Sequence, residues 1–125
     1  MKHSMVPLFC TAELPATKRF YEAHFGFQVD VEMDGYAELV GPAGGPRLGF
    51  MSPAEGQWEA GSAKGLLYCF EVDDADAEYA RLAAAGVTIR SEPEDKPWGE
   101  RGFLAADPNG IGLYFGHPLS TSRAG

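Results

Sequence analysis

Residues 69–87, CFEVDDADAEYARLAAAGV, join the end of a predicted strand to a helix and then to a glycine. The strand is predicted over 66–72, where apolar and β-forming residues predominate, and the acidic pair at 73–74 can cap the following helix. Apolar residues recur at helical spacing through 75–85, and Gly86 then allows the positive φ angle with which many helices end. The stretch predicts a strand, a helix and a helix stop, in that order.

The same order occurs earlier in the chain. Residues 5–11, MVPLFCT, predict a strand, and a helix opens near Pro15, whose missing N–H is harmless in a first turn. Gly26 ends this helix as Gly86 ends the second. Turn-forming residues then separate three strand candidates in each half, at 27–31, 36–40 and 47–51 in the first and at 87–90, 102–106 and 111–116 in the second. Each half is therefore predicted to be βαβββ.

The two halves align at an offset of about 60 residues, which indicates a repeated unit that does not bury its apolar face alone. We predict one domain over 1–125, with module one at about 5–51, a linker at 52–64 and module two at about 65–117. The predicted fold class is α+β: two βαβββ modules with pseudo-two-fold symmetry, forming a curved mixed sheet around a cleft. Chance similarity between two generic strand-helix patterns is the alternative.

Charge and composition exclude several classes of protein. The 125 residues include 18 acidic and 10 basic side chains, for a formal net charge of -8. A surface that follows phosphates needs clustered basic residues, so nucleic acid is not expected as a partner. No apolar run reaches the roughly 18 residues that cross a bilayer, so no membrane segment is expected. The apolar contexts of Cys10 and Cys69 and the absence of CxxC spacing predict reduced, buried thiols in a cytoplasmic protein.

Three segments resemble those of one known family: LPATKRFYEAHFGF at 14–27, CFEVDDADAEYARLAAAGV at 69–87 and KPWGERGFLAADPNGIGLYFG at 96–116. In order and spacing, over most of 5–117, the chain resembles the glyoxalase/bleomycin-resistance family of the vicinal oxygen chelate superfamily. The resemblance implies two βαβββ modules around a cleft that dimerisation often completes, and hence a homodimer. Members include metal-dependent isomerases, dioxygenases and thiol transferases, and also metal-free proteins that sequester bleomycin-like antibiotics.

The resemblance also locates the four metal-ligand positions of the family, which fall here on Val6, Gly49, Leu67 and Tyr114. Sites for zinc, nickel, iron and manganese are built from imidazole, carboxylate or thiolate donors. None of the four residues supplies such a donor. We therefore expect no metal and no other cofactor, as in the metal-free branch of the family.

Strand alternation predicts which side chains face the cleft, because residues i and i+2 share a face. If Tyr114 faces the cleft, its neighbour Phe115 faces the helix layer, and Phe103 is expected opposite Tyr114 in the hairpin closed by the DPNG turn. The predicted ligand-binding residues are Tyr36, Glu38, Arg47, Trp58, Cys69, Trp98, Phe103 and Tyr114. Core packing is the alternative for the aromatic members, and an ion pair with Arg47 is the alternative for Glu38.

Three functions remain open at this point. The leading hypothesis is a metal-independent binding protein that sequesters an aromatic or peptide-like compound such as an antibiotic. An alternative is a glyoxalase-like lyase or another enzyme of the same fold, although no catalytic residue is predicted. The histidines at 3, 24 and 117 do not converge, and no nucleophile has a base at a recognisable spacing. A dimeric or regulatory module without a small ligand is the third possibility.

Overall fold

A computed structural model of the protein describes residues 5–53, 60–61 and 63–119. The chain divides into two compact units, Met1–Ser62 and Ala63–Gly125. Most of the predicted linker at 52–64 lies outside the described residues, and one core shared by both modules stays a prediction. Within the described residues, no helix is long and apolar enough to span a bilayer.

The first unit is one four-stranded sheet with a helix. Its elements are β1 (Leu8–Cys10), α1 (Leu14–Phe25), β2 (Gln28–Met33), β3 (Tyr36–Val40) and β4 (Arg47–Met51). The strand order is β1-β4-β3-β2, with β1 parallel to β4 and the other pairs antiparallel. Tyr21 of α1 stacks on Phe50, with ring centroids 5.5 Å apart, so the helix covers one face of this sheet.

The second unit repeats this arrangement. Its elements are β5 (Leu67–Glu71), α2 (Ala75–Ala84), β6 (Thr88–Asp95), β7 (Glu100–Ala106) and β8 (Gly112–Pro118). The strand order is β5-β8-β7-β6, with β5 parallel to β8. The α+β fold class and the two βαβββ modules predicted from the sequence are therefore confirmed.

The helix boundaries follow from the predicted signals. Asp74 caps α2, because its side chain accepts a hydrogen bond of 3.1 Å from the backbone N–H of Ala77. Gly26 follows α1 with a φ angle of 68°, in the left-handed region that costs glycine little. Both signals lie within a few residues of the helix they delimit, which is why the sequence predicted them.

A stack of aromatic rings forms the core between α2 and the second sheet. The Phe115 ring lies 5.0 Å from Phe103 and 4.9 Å from Phe70, both nearly parallel to it. Tyr79 of α2 meets Phe103 edge-on at 5.5 Å. Phe103 and Phe115 are fully buried, so this face of the sheet packs against the helix. A binding site in this unit would lie on the opposite face of the sheet.

The β7–β8 loop holds five residues rather than the four expected. The Asp107 carboxylate accepts hydrogen bonds from the backbone N–H groups of Asn109 and Ile111, at 2.8 and 2.9 Å. The backbone N–H of Asp107 also donates to the Ile111 carbonyl. Ile111 is therefore held in the loop, and the strands begin to pair at Ala106 and Gly112.

This loop corrects the predicted position of Phe103. Phe103 pairs with Phe115, and Leu104 pairs with Tyr114. The prediction that Phe103 joins Tyr114 on the open face was therefore wrong by one residue of register. A shift of one residue moves a side chain to the other face of a sheet, so Phe103 lies in the core and Leu104 takes its expected place.

Substituting Asp107 tests the loop directly. We expect Asp107→Ala to lower the free energy of unfolding by about 2–4 kcal/mol, because two backbone donors near the core lose a charged acceptor. Asp107→Asn keeps an acceptor oxygen and should cost clearly less. Urea denaturation of the three proteins measures the difference, and equal stability of Asp107→Ala and the wild type would contradict this role.

Candidate functional site

A cavity of about 560 Å³ lies on the sheet of the second unit. Its lining includes Leu67, Cys69, Glu71, Trp98, Leu104 and Tyr114. The first three are alternate residues of β5 and therefore share a face, as the sequence predicted. The prediction that Cys69 is buried was wrong, because this face of the strand is exposed. Leu104 and Tyr114 are cross-strand partners on β7 and β8. The cavity thus has an apolar and aromatic floor with a carboxylate at its edge.

Tyr114 lies across two glycines. Gly102 and Gly116 are cross-strand partners and both are buried. A Cβ atom on Gly102 would lie 2.5 Å from Tyr114 Cζ, and one on Gly116 would lie 2.8 Å from Tyr114 Cε2. A side chain at either position would collide with the ring. The paired glycines therefore allow the phenol to lie flat along the sheet surface.

Trp98 comes from the tip of the β6–β7 hairpin. The backbone N–H of Lys96 donates to the Glu100 carbonyl and closes this turn. The Trp98 side chain is 63% exposed, and its indole Nε1 donates to Glu100 Oε1 at 2.7 Å. Its ring centroid lies 6.2 Å from that of Tyr114, with 52° between the ring planes. Two aromatic side chains thus meet at an angle beside the cavity.

Acidic side chains set the charge of the cavity. Glu100 Oε1 accepts a second hydrogen bond, of 3.1 Å, from Tyr114 Oη. Burial and this bond to Glu100 raise the pKa of Tyr114, so the phenol stays protonated at neutral pH. The Lys96 ammonium lies 2.6 Å from a carboxylate oxygen of Glu94, which offsets its charge. With Glu71 also in the lining, the site is negative on balance.

A polar cluster occupies the first unit. Tyr36 Oη donates to Glu38, and Arg47 Nη1 lies 2.9 Å from carboxylate oxygens of both Glu38 and Asp30. The hydrogen bond to Glu38 raises the pKa of Tyr36 above its ordinary value. Three predicted residues are thus brought together. Glu38 forms the ion pair with Arg47 that the sequence analysis gave as the alternative to ligand binding.

The predicted site residues are therefore distributed unevenly. Cys69, Trp98 and Tyr114 line one cavity, whereas Phe103 lies in the core and Trp58 lies outside the described residues. Their roles in ligand binding stay predictions. The sequence analysis missed Glu100, Leu104 and the glycine pair. Two glycines in the strands of one predicted hairpin were the available signal, since glycine inside a strand often marks close contact.

The residues at the four metal-ligand positions do not fit a divalent cation. In the first unit, a Cβ atom on Gly49 would lie 3.2 Å from Val6 Cγ1, so these positions present only hydrocarbon to each other. In the second unit they are Leu67 and the protonated phenol of Tyr114. Sites for zinc, nickel, iron and manganese are built from carboxylate, imidazole or thiolate donors instead.

Comparison with known proteins gives a single family. Residues 3–115 match the family model of the Glyoxalase/Bleomycin resistance protein/Dioxygenase superfamily. No curated protein matches the sequence. Among solved structures, a glyoxalase/bleomycin resistance protein/dioxygenase from Nocardioides is 23% identical with a TM-score of 0.78, and the match covers 100% of this chain and 90% of that one.

Two further structures differ in their described roles. TnmS3, an antibiotic binding protein from Streptomyces sp. CB03234, is 22% identical with a TM-score of 0.73, covering 94% of this chain and 97% of its own. A lactoylglutathione lyase from Agrobacterium tumefaciens is 20% identical with a TM-score of 0.69, and the match covers 100% of this chain and 98% of that one. At such identities these likenesses concern the fold, and the choice between binding and catalysis depends on the residues of the site.

Proposed function

This chain belongs to the Glyoxalase/Bleomycin resistance protein/Dioxygenase superfamily, and from that premise we propose that it is a metal-independent protein that sequesters an aromatic or peptide-like small molecule. The observation that supports this most is the aromatic cavity of the second unit, where Tyr114 lies flat over two glycines with Trp98 beside it. The antibiotic-binding description of TnmS3 favours an antibiotic as the ligand class.

The size and lining of the cavity support the binding of a compound with aromatic rings. Small-molecule sites commonly enclose about 300–1,000 Å³ and combine apolar walls with a few polar groups. The volume of about 560 Å³ falls in this range. Each ring that stacks on Tyr114 or Trp98 contributes about 0.5–1.5 kcal/mol beyond the area it buries. The carboxylates of Glu71 and Glu100 supply the polar component.

The polar groups of the cavity favour retention of a ligand over its conversion. A covalent mechanism needs a nucleophile within hydrogen-bond reach of a base. Cys69 brings a thiol to the cavity. Glu100 Oε1 already accepts hydrogen bonds from Trp98 and Tyr114, so this oxygen is not poised to act as the base for that thiol. Sequestration requires only the aromatic surface.

The proposal also covers assembly and location. The family resemblance favours a homodimer, and the two cysteines without a disulfide favour a cytoplasmic protein.

Binding of planar aromatic compounds tests this proposal. We expect 2-naphthalenemethanol or 9-aminoacridine to raise the melting temperature of the wild type, because a ligand selective for the folded state stabilises it. Tyr114→Ala should weaken binding at least about tenfold, or 1.4 kcal/mol, since it removes the floor of the cavity. Met33→Ala removes an exposed side chain of the other sheet and serves as the control, with affinity close to that of the wild type.

Two further measurements separate binding from catalysis. Calorimetric titration after treatment with a chelator should give the same affinity as before, and mass spectrometry should recover each compound unchanged. Failure of both compounds to bind the wild type would overturn the proposal. Conversion of either compound by the chelated protein would show a metal-independent enzyme instead of a binding protein. Equal losses of affinity from Met33→Ala and Tyr114→Ala would place binding outside this cavity.

A further inference from the structure

One carboxylate oxygen holds both aromatic side chains of the cavity. Glu100 Oε1 accepts from the indole N–H of Trp98 at 2.7 Å and from the hydroxyl of Tyr114 at 3.1 Å. These donors come from different places, a hairpin tip and the middle of β8. Glu100 itself is half-buried at the start of β7, where the strand backbone fixes its origin. The relative position of the two rings therefore depends on this side chain.

Trp98 depends on Glu100 more than Tyr114 does. The Tyr114 ring is already confined by the paired glycines beneath it. Trp98, by contrast, is 63% exposed, so buried area contributes little to fixing its rotamer. Among the described residues, the contacts of its ring include the hydrogen bond to Glu100, the tilted approach to Tyr114 and the Lys96 ammonium at 6.0 Å. Loss of the hydrogen bond would release the indole from its fixed angle.

The fixed angle determines the shape of ligand that fits. A ring inserted between two parallel aromatic faces needs about 7 Å between them, twice the optimal contact distance of about 3.5 Å. The centroids of Trp98 and Tyr114 are 6.2 Å apart and the ring planes differ by 52°. The pair therefore forms an open corner and not a sandwich. A flat ring system can stack on the outer face of Tyr114 and meet Trp98 with its edge.

We propose that Glu100 is the positioning residue of this site, which holds Trp98 at an angle to Tyr114 and thereby selects ligands that carry a flat fused-ring system. The proposal rests on the proposed binding function of the same cavity. Its energetic basis is preorganisation: ordering a free side chain during binding lowers affinity, and Glu100 orders Trp98 before the ligand binds.

Substitution of Glu100 separates its hydrogen bonds from its charge. Glu100→Gln keeps the Oε1 acceptor and loses the charge, whereas Glu100→Ala loses both. With the neutral probe 2-naphthalenemethanol, we expect Glu100→Gln to bind within about twofold of the wild type and Glu100→Ala to bind roughly threefold to tenfold more weakly. Glu92→Ala removes an exposed glutamate of β6 and is the matched control for a change of charge.

The indole itself supplies a second readout. The sequence contains two tryptophans, so Trp58→Phe leaves Trp98 as the single tryptophan, which can be excited selectively. In that background, Glu100→Ala should lower the steady-state anisotropy of Trp98 and increase its quenching by acrylamide, and Glu100→Gln should restore both. Decahydro-2-naphthalenemethanol, the saturated analogue of the probe, should bind the wild type at least about tenfold more weakly, because a puckered ring cannot lie on Tyr114.

Each outcome distinguishes the inference from the function on which it rests. Wild-type affinity in Glu100→Ala, or equal losses in Glu100→Ala and Glu100→Gln, would overturn the positioning role and leave the binding function in place. Equal affinity for the flat and saturated probes would overturn the selection of flat rings. Absence of binding of both probes by the wild type would overturn the binding function and this inference together.

Discussion

Replacing Phe115 by alanine is expected to lower the free energy of unfolding by about 3–5 kcal/mol. The ring is fully buried and stacks against Phe70 on one side and Phe103 on the other, at 4.9 and 5.0 Å. Truncation removes the transfer free energy of the ring and leaves a cavity in the middle of the aromatic stack. Urea denaturation followed by circular dichroism measures the change.

Two variants calibrate this result. Phe115→Leu keeps most of the apolar volume and should be destabilised clearly less. Met33→Ala removes a side chain that is 61% exposed and should change stability by less than about 0.5 kcal/mol. A loss below 1 kcal/mol in Phe115→Ala would mean that the stack does not form the core of the second unit.

Adding a single methyl group at Gly102 is expected to reduce binding of 2-naphthalenemethanol at least about tenfold. The new Cβ would lie 2.5 Å from Tyr114 Cζ, a distance that forces the ring off the sheet. Because the strand backbone cannot yield without breaking its pairing with Gly116, the tyrosine must move and the floor of the cavity moves with it. Overpacking should also cost about 1–3 kcal/mol of stability.

A double-variant cycle tests whether the contact of the new methyl group with Tyr114 causes the loss of stability in Gly102→Ala. In a Tyr114→Ala background, Gly102→Ala meets no ring and should change stability by less than about 0.5 kcal/mol. A coupling energy near zero between the two positions would contradict the stacked arrangement. Full affinity of the Gly102→Ala single variant would show that Tyr114 does not form the binding surface.

The candidate site was predicted from the sequence only in part. Tyr114 and Cys69 were predicted from alternation along strands aligned to the family, and Trp98 from the family resemblance alone. All three line the cavity. Glu100 was not among the predicted site residues. Its importance comes from two hydrogen bonds, to Trp98 and Tyr114, which lie 2 and 14 positions away in the sequence. Local sequence patterns do not reveal the bond to Tyr114, because the two residues belong to different strands.

The order of elements was determined by the sequence alone, because each signal acts within a few residues. The Asp74 cap, the glycine after α1 and the alternation of apolar residues in β5 all operate over one helical turn or one strand. Such short-range preferences act without help from tertiary contacts. They therefore predicted both βαβββ modules, and the resemblance of three segments to those of one family indicated the family.

The composition of the binding face was decided only by the tertiary structure. One extra loop residue, Ile111, shifts the β7–β8 register, and that shift places Phe103 in the core and Leu104 in the cavity. The angle between Trp98 and Tyr114 likewise depends on a carboxylate of a third element. The physical reason is that the side-chain period of a strand is two, so a change of one residue in pairing exchanges the two faces. The pairing depends on the hydrogen bonds that Asp107 makes once the loop is folded, and the turn-forming residues alone did not predict them.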